Sequence, residues 1–195
     1  MKRNKFISLL PAALFVAAGL DAAEIGKGRK MLTVYYSWSG NTRHIADLVK
    51  KFTSSDILEI VPTEAYPSSY NRTVAIAKKE VDAQYRRPIK TEISNLADYD
   101  VIFVGSPNWW GTISSPIRTF LSKNDFSGKT IVPFITHEGS RFGNALADIG
   151  KICPKSKIAD GLEVRGGSVR RADKTVEAWL RKLGVIYGKQ EASQC

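Results

Sequence analysis

From Met31 onward the chain alternates short, β-branched apolar runs with stretches whose apolar residues recur every three or four positions. Met31–Tyr36 predicts a strand, and behind it Ile45, Leu48, Val49 and Phe52 fall at i, i+3, i+4 and i+7, the spacing of one helix face. The pattern repeats with a strand near Ile57–Val61, a helix over about Tyr70–Tyr85, and the run Val101–Gly105, whose unbroken apolar character marks a central strand buried on both faces. Ser115 before Pro116 supplies an N-cap and a first-turn proline for a helix over Pro116–Leu121. A strand Thr130–Thr136 and a helix Phe142–Ile152 follow. A short strand Leu162–Val164 and a helix striped by Val176, Trp179, Leu180 and Leu183, closed by Gly184, complete the series. Five strands alternating with five helices predict an α/β fold: a five-stranded parallel sheet, right-handed crossovers and helices on both faces.

The segment before Met31 breaks this pattern. A basic start, Met1-Lys2-Arg3-Asn4-Lys5, runs into an apolar stretch from Phe6 to Leu20 that is interrupted by Pro11 and falls short of the roughly 20 residues a membrane span needs. This predicts a signal peptide over residues 1–23, cut near Ala22 or Ala23, and a periplasmic location, with a retained anchor as the alternative. Residues 24–195 then form one domain, since 195 residues supply one well-buried core and not two. The only cysteines, Cys153 and Cys195, would be free to pair in an oxidising compartment.

The net charge is +10, and without residues 1–23 the chain keeps 26 basic against 18 acidic residues. Such an excess attracts anionic surfaces at long range. No dense Lys/Arg block with interleaved aromatics is present, which speaks against a nucleic-acid partner. Two histidines and two separated cysteines offer no metal-ligand spacing, and no Gly-x-Gly-x-x-Gly opens a helix.

In a parallel α/β sheet, ligands bind at the carboxyl ends of the strands, around the point where strand order reverses. Three loops fall there. The first, Ser37-Trp38-Ser39-Gly40-Asn41-Thr42, brings three hydroxyls and a glycine to a helix N-terminus, where unpaired N–H groups and the helix dipole favour an anion without a lysine. A monophosphate suits this neutral cradle, whereas a triphosphate loop would carry Gly-Lys-Ser/Thr. The second loop, Ser106-Pro107-Asn108-Trp109-Trp110-Gly111-Thr112, holds two adjacent indoles that are costly to leave in water unless a flat group covers one of them. The third is Thr136-His137-Glu138-Gly139-Ser140, in which Gly139 permits close backbone approach.

The first loop resembles the Thr/Ser-x-Thr/Ser-Gly-Asn-Thr phosphate loop of the flavodoxin family, and the later loops are spaced as that family spaces them, over about Met31–Val185. The resemblance implies a short-chain, flavodoxin-like three-layer sandwich with FMN as cofactor. Ser37, Ser39, Gly40, Asn41 and Thr42 would hold the FMN phosphate together with the Trp38 backbone N–H. Pro107, Asn108, Trp109, Trp110, Gly111 and Thr112 would flank the flavin ring, with either Trp109 or Trp110 stacked on it and the other in the core. Thr136, His137, Glu138, Gly139 and Ser140 would meet the ring edge, and a carboxylate such as Glu138 there would lower its potential. The family's electron carriers are typically acidic and cytosolic, so their partners do not carry over to this basic chain. The implied function is electron transfer, either as a carrier serving a redox partner protein or as an NAD(P)H-dependent reductase of a small-molecule acceptor such as a quinone. A flavin-free binding module on the same fold is the alternative.

Overall fold

The structure, a computed structural model, describes residues 25–186, so the expected signal peptide and Cys195 lie outside the described residues. Strands β1 (Met31–Tyr35), β2 (Asp56–Glu59), β3 (Val101–Trp109) and β5 (Thr130–His137) pair in the order β2-β1-β3-β5, all parallel. A fifth position beside β5 is filled by two short pieces, β6 (Lys157–Ile158) and β7 (Leu162–Arg165), each parallel to it. The predicted five-stranded parallel sheet is therefore present, with strand order reversing between β1 and β3.

Side-chain alternation on the central strands feeds two cores. Leu32, Val34, Ile102, Val104, Ile131 and Ile135 point to the face covered by α3 (Ser115–Lys123) and α4 (Ala145–Ile152), with α2 (Tyr70–Asp82) packed at its margin. Tyr35, Val101, Phe103, Val132 and Phe134 point to the face covered by α1 (Asn41–Thr53) and α5 (Asp173–Lys182). Helices lie on both faces, as predicted. Gly105 sits where the layers are tightest, since a Cβ there would come within 2.2 Å of the Phe134 ring and 2.9 Å of the Tyr35 Cβ. Buried Cys153 closes α4, and desolvation pushes its thiol up to about 11.

The structure departs from the sequence reading in three places. The first is β4 (Thr112–Ile113), which pairs antiparallel with the end of β3 through Asn108↔Ile113 and Trp109↔Thr112. What reads as a strand-to-helix loop is a tight hairpin, with Trp110 and Gly111 both at positive φ, 53° and 84°.

The second is the start of α4, at Ala145 rather than Phe142. Arg141 and Gly143 turn at φ 52° and 53°, and the Asn144 N–H donates to the Gly111 carbonyl at 2.6 Å. The backbone of Gly143 packs so closely on Gly111 that a Cβ would lie 2.3 Å from that carbonyl oxygen. The chain thus clamps the hairpin before it can begin to coil.

The third is the broken edge strand, which sequence shows only as Leu162–Val164. Ala159 N–H donates to the Ile131 carbonyl at 2.9 Å, so Ile131 faces the edge, and two residues further on Pro133 faces the same way. Proline has no N–H to offer. Opposite Val132 and Pro133 the edge strand lets go for three residues, Ala159–Gly161, and re-pairs at Phe134↔Leu162. The Trp179 Nε1–H takes up the Asp160 carbonyl freed there, at 3.0 Å.

Candidate functional site

β1 and β3 deliver their loops to opposite faces of the sheet, and a cleft opens at the carboxyl end where they part. It has a volume of about 720 Å³. All three predicted loops reach it: Trp38, Ser39 and Asn41 from the first, Pro107, Asn108, Trp109, Trp110 and Gly111 from the second, and Thr136, His137, Glu138 and Ser140 from the third. Of the other predicted residues, Ser37, Gly40, Thr42, Thr112 and Gly139 do not line it and act on the loops from behind.

The first loop is built to leave donors unused. The Gly40 N–H donates to Ser37 Oγ at 3.1 Å, which bends the chain so that Gly40 takes φ 89° at the helix start. No side chain caps α1, so its first-turn amides, led by Asn41 and Thr42, are available to an outside acceptor. The Thr42 hydroxyl is buried against that of Thr136 at 2.8 Å, tying the first loop to the third. Ser39 has no such internal tie among the hydrogen bonds of the loop. Ser37 instead borders a second cleft of about 500 Å³, with Trp38 and Ser39 shared between the two.

The hairpin and its two indoles form the aromatic wall. Trp109 is half-buried and stands edge-on to Tyr66 and Tyr36, with centroids 4.8 and 5.7 Å away. Behind it Tyr66 donates its hydroxyl to buried Glu80, which also takes the Arg87 Nε–H at 2.7 Å, while the Arg87 guanidinium lies 4.1 Å over the Tyr66 ring. Burial first, then the Glu80 hydrogen bond, pushes the Tyr66 phenol well above its usual range, so it remains a donor.

Trp110 is 52% exposed and pinned by its Nε1–H to the Val74 carbonyl at 3.1 Å, with Lys78 5.4 Å over its ring. Neither indole is therefore plain core: both line the cleft, one backed by the sheet and one held out by α2. The Asn108 carboxamide stiffens the turn, accepting from Gly111 N–H at 2.9 Å and donating to the Arg141 carbonyl at 2.7 Å. The Thr112 hydroxyl turns away, donating to Asp148 on α4 at 2.5 Å.

A tryptophan at φ 53° occupies a position that Asn or Gly fills at lower energy. Trp110→Asn is expected to leave stability unchanged or raise it by about 1 kcal/mol while weakening ligand binding in the cleft; thermal melting and titration of the same sample separate the two effects.

In the third loop the Gly139 N–H is committed to His137 Nδ1 at 2.9 Å, which leaves Nε2 to carry the imidazole proton toward Glu163 on β7. His137 is thus held at both nitrogens and fixes the loop. Glu138 lies against Gly166, where a Cβ would meet its Oε1 at 2.0 Å and the Asn41 Nδ2 at 2.9 Å. His44 on α1 is half-buried, and its Nε2 is enclosed without a partner.

The pattern of loops did not point to α2, yet Tyr70, Thr73, Val74 and Ala77 form the fourth wall of the cleft. Its helical periodicity is legible, but nothing local in the sequence says that this face looks onto a ligand site. Among the described residues no His/Cys/Asp/Glu cluster is arranged to hold a metal, and no helix is long and apolar enough to cross a membrane.

Residues 30–183 match the family model for flavodoxin, and the chain belongs to the flavodoxin family. Among solved structures it is similar to a candidate flavoprotein of Bacteroides uniformis, 30% identical with a TM-score of 0.70, covering 80% of this chain and 99% of that one. A flavoprotein of Lactobacillus acidophilus crystallised in complex with FMN shares the fold at 23% identity and a TM-score of 0.60, covering 73% and 97%. A protein of Rhizobium johnstonii named NAD(P)H dehydrogenase (quinone) is 27% identical over 168 residues, or 71% of this chain and 79% of that one.

Proposed function

We propose that the protein binds FMN non-covalently in this cleft and works as an electron-transfer flavoprotein. The observation that carries the reading is the junction of an uncapped α1 N-terminus, shaped by Gly40 at φ 89°, with a cleft walled by Trp38, Trp109 and Trp110. An anion-binding end beside a flat apolar slot matches a phosphate joined to a planar ring. When bound, FMN supplies reversible one- and two-electron chemistry. The amides of Asn41 and Thr42, with the Ser39 hydroxyl, hold the phosphate. Trp109, backed by Tyr66 and Tyr36, keeps water from one side of the slot, and Glu138 brings a carboxylate to its rim.

The Rhizobium relative's name supports a reductase that passes electrons from NAD(P)H to a quinone. The basic start and apolar run before residue 24 support export, so the folded domain would work in the periplasm and take up its flavin there.

FMN titration of residues 24–195, followed by absorption and by flavin fluorescence, tests the core of this reading. One-to-one saturation is the expected result. A protein that leaves the FMN spectrum unchanged would be a flavodoxin-shaped interaction module instead.

A further inference from the structure

The segment that follows β7 is a short 3-10 turn, Gly166–Arg171, packed between α1 and the third loop of the site. Its start is fixed by contact: Gly166 can lie against both Glu138 and Asn41 only because it has no side chain. Val169 and Ala172 anchor its far end in the core. Arg165, the last residue of β7, and Arg170 and Arg171 at the end of the turn are exposed, and none of their side chains makes a hydrogen bond or ion pair to another described residue. Of the eight arginines described elsewhere, five are ion-paired: Arg43 to Glu59, Arg87 to Glu80, Arg118 to Asp148, Arg141 to Glu163 and Arg181 to Glu177. Arg165 lies in register with His137, so the cluster begins at the third loop itself.

We propose that Arg165, Arg170 and Arg171 form the docking surface for an acidic redox-partner protein, set beside the site's third loop. The inference rests on the flavoprotein reading above for its purpose, but not for its test. Three observations favour a protein carboxylate surface. Guanidinium forks pair bidentately with carboxylates, and here they are unpaired, one at the end of β7 and two on a turn anchored in the core by Val169 and Ala172. None of the three lines the cleft, so they do not serve the ligand that fills it. The chain is strongly basic, which gives an acidic partner long-range attraction as well as local contacts.

Poly-L-glutamate is the probe, titrated by calorimetry into residues 24–195, with FMN binding measured separately. The triple variant Arg165→Glu, Arg170→Glu, Arg171→Glu is compared with a control of equal charge change at the opposite end of the sheet, Lys123→Glu, Lys155→Glu, Lys157→Glu. The expected result is a loss of about tenfold or more in affinity for the arginine variant, a much smaller loss for the control, and unaltered FMN binding in both. Vesicles containing phosphatidylglycerol should not distinguish the two variants. Equal weakening of polyglutamate by both triples would overturn the proposal in favour of a diffuse charge effect. Discrimination by the vesicles rather than by polyglutamate would overturn it in favour of a lipid surface. Arginine-dependent polyglutamate binding by a protein that takes no FMN would leave the docking surface standing and remove the flavin reading alone.

Discussion

Glu80→Ala is expected to lower the unfolding free energy by about 3–5 kcal/mol, read as a shifted urea midpoint at unchanged slope. Glu80 is 6% exposed and the Arg87 side chain 13%, and between them they tie α2 to the segment leading into β3. Deleting the carboxylate strands a guanidinium away from water and leaves the Tyr66 hydroxyl without its acceptor. The loss comes from the orphaned partners rather than from the pair's own net worth. Replacing both groups together, as Glu80→Leu with Arg87→Met, should therefore be less damaging than Glu80→Ala alone. Because Tyr66 stands edge-on to Trp109, the single variant should also loosen the aromatic wall, visible as a weaker near-UV circular dichroism signal. A single variant as stable as the parent would show that the network is dispensable.

Ser39→Ala combined with Thr42→Ala is expected to weaken FMN binding by about tenfold or more, since the Ser39 hydrogen bond to a charged group contributes about 1.5–3 kcal/mol and the Thr42 change loosens the loop that presents the amides. Titration of the double variant beside the parent checks it. The two positions should contribute differently. Ser39 lines the cleft and its loss falls on binding alone. The Thr42 hydroxyl pairs with Thr136, so its loss also unties the first loop from the third and lowers stability by about 1 kcal/mol. Undiminished FMN affinity in the double variant would move the phosphate elsewhere.

The layers and the position of the candidate cleft were legible because each depends on a strong local signal. Helical and strand periodicities differ along the whole chain, and Ser37–Thr42 and Pro107–Thr112 sit at strand ends where a parallel sheet collects its ligands. Much of what escaped depends on pairs distant in sequence. The hairpin at Trp110-Gly111 is held by Asn144 and Gly143, more than thirty residues on, and a tryptophan is not the residue that announces a turn at positive φ. The delayed start of α4 has the same cause. The fourth wall of the cleft comes from α2, whose apolar stripe reads identically whether it meets core or ligand. Thr112 illustrates the limit of motif transfer, since it belongs to the second-loop pattern while its hydroxyl serves Asp148.

Pro133 and the three-residue gap opposite it also bear on how the protein behaves in a crowded solution. An exposed sheet margin offers a template on which a second chain can extend the ladder, and long, regular margins invite fibrous association. Here one margin is split into runs of two and four residues with a proline behind the break, and the other, β2, is only four residues long with a charged residue at each end. Neither presents a run long enough to recruit a stranger. A variant that restores a donor, Pro133→Val, would make the margin more continuous and, by the same token, more adhesive.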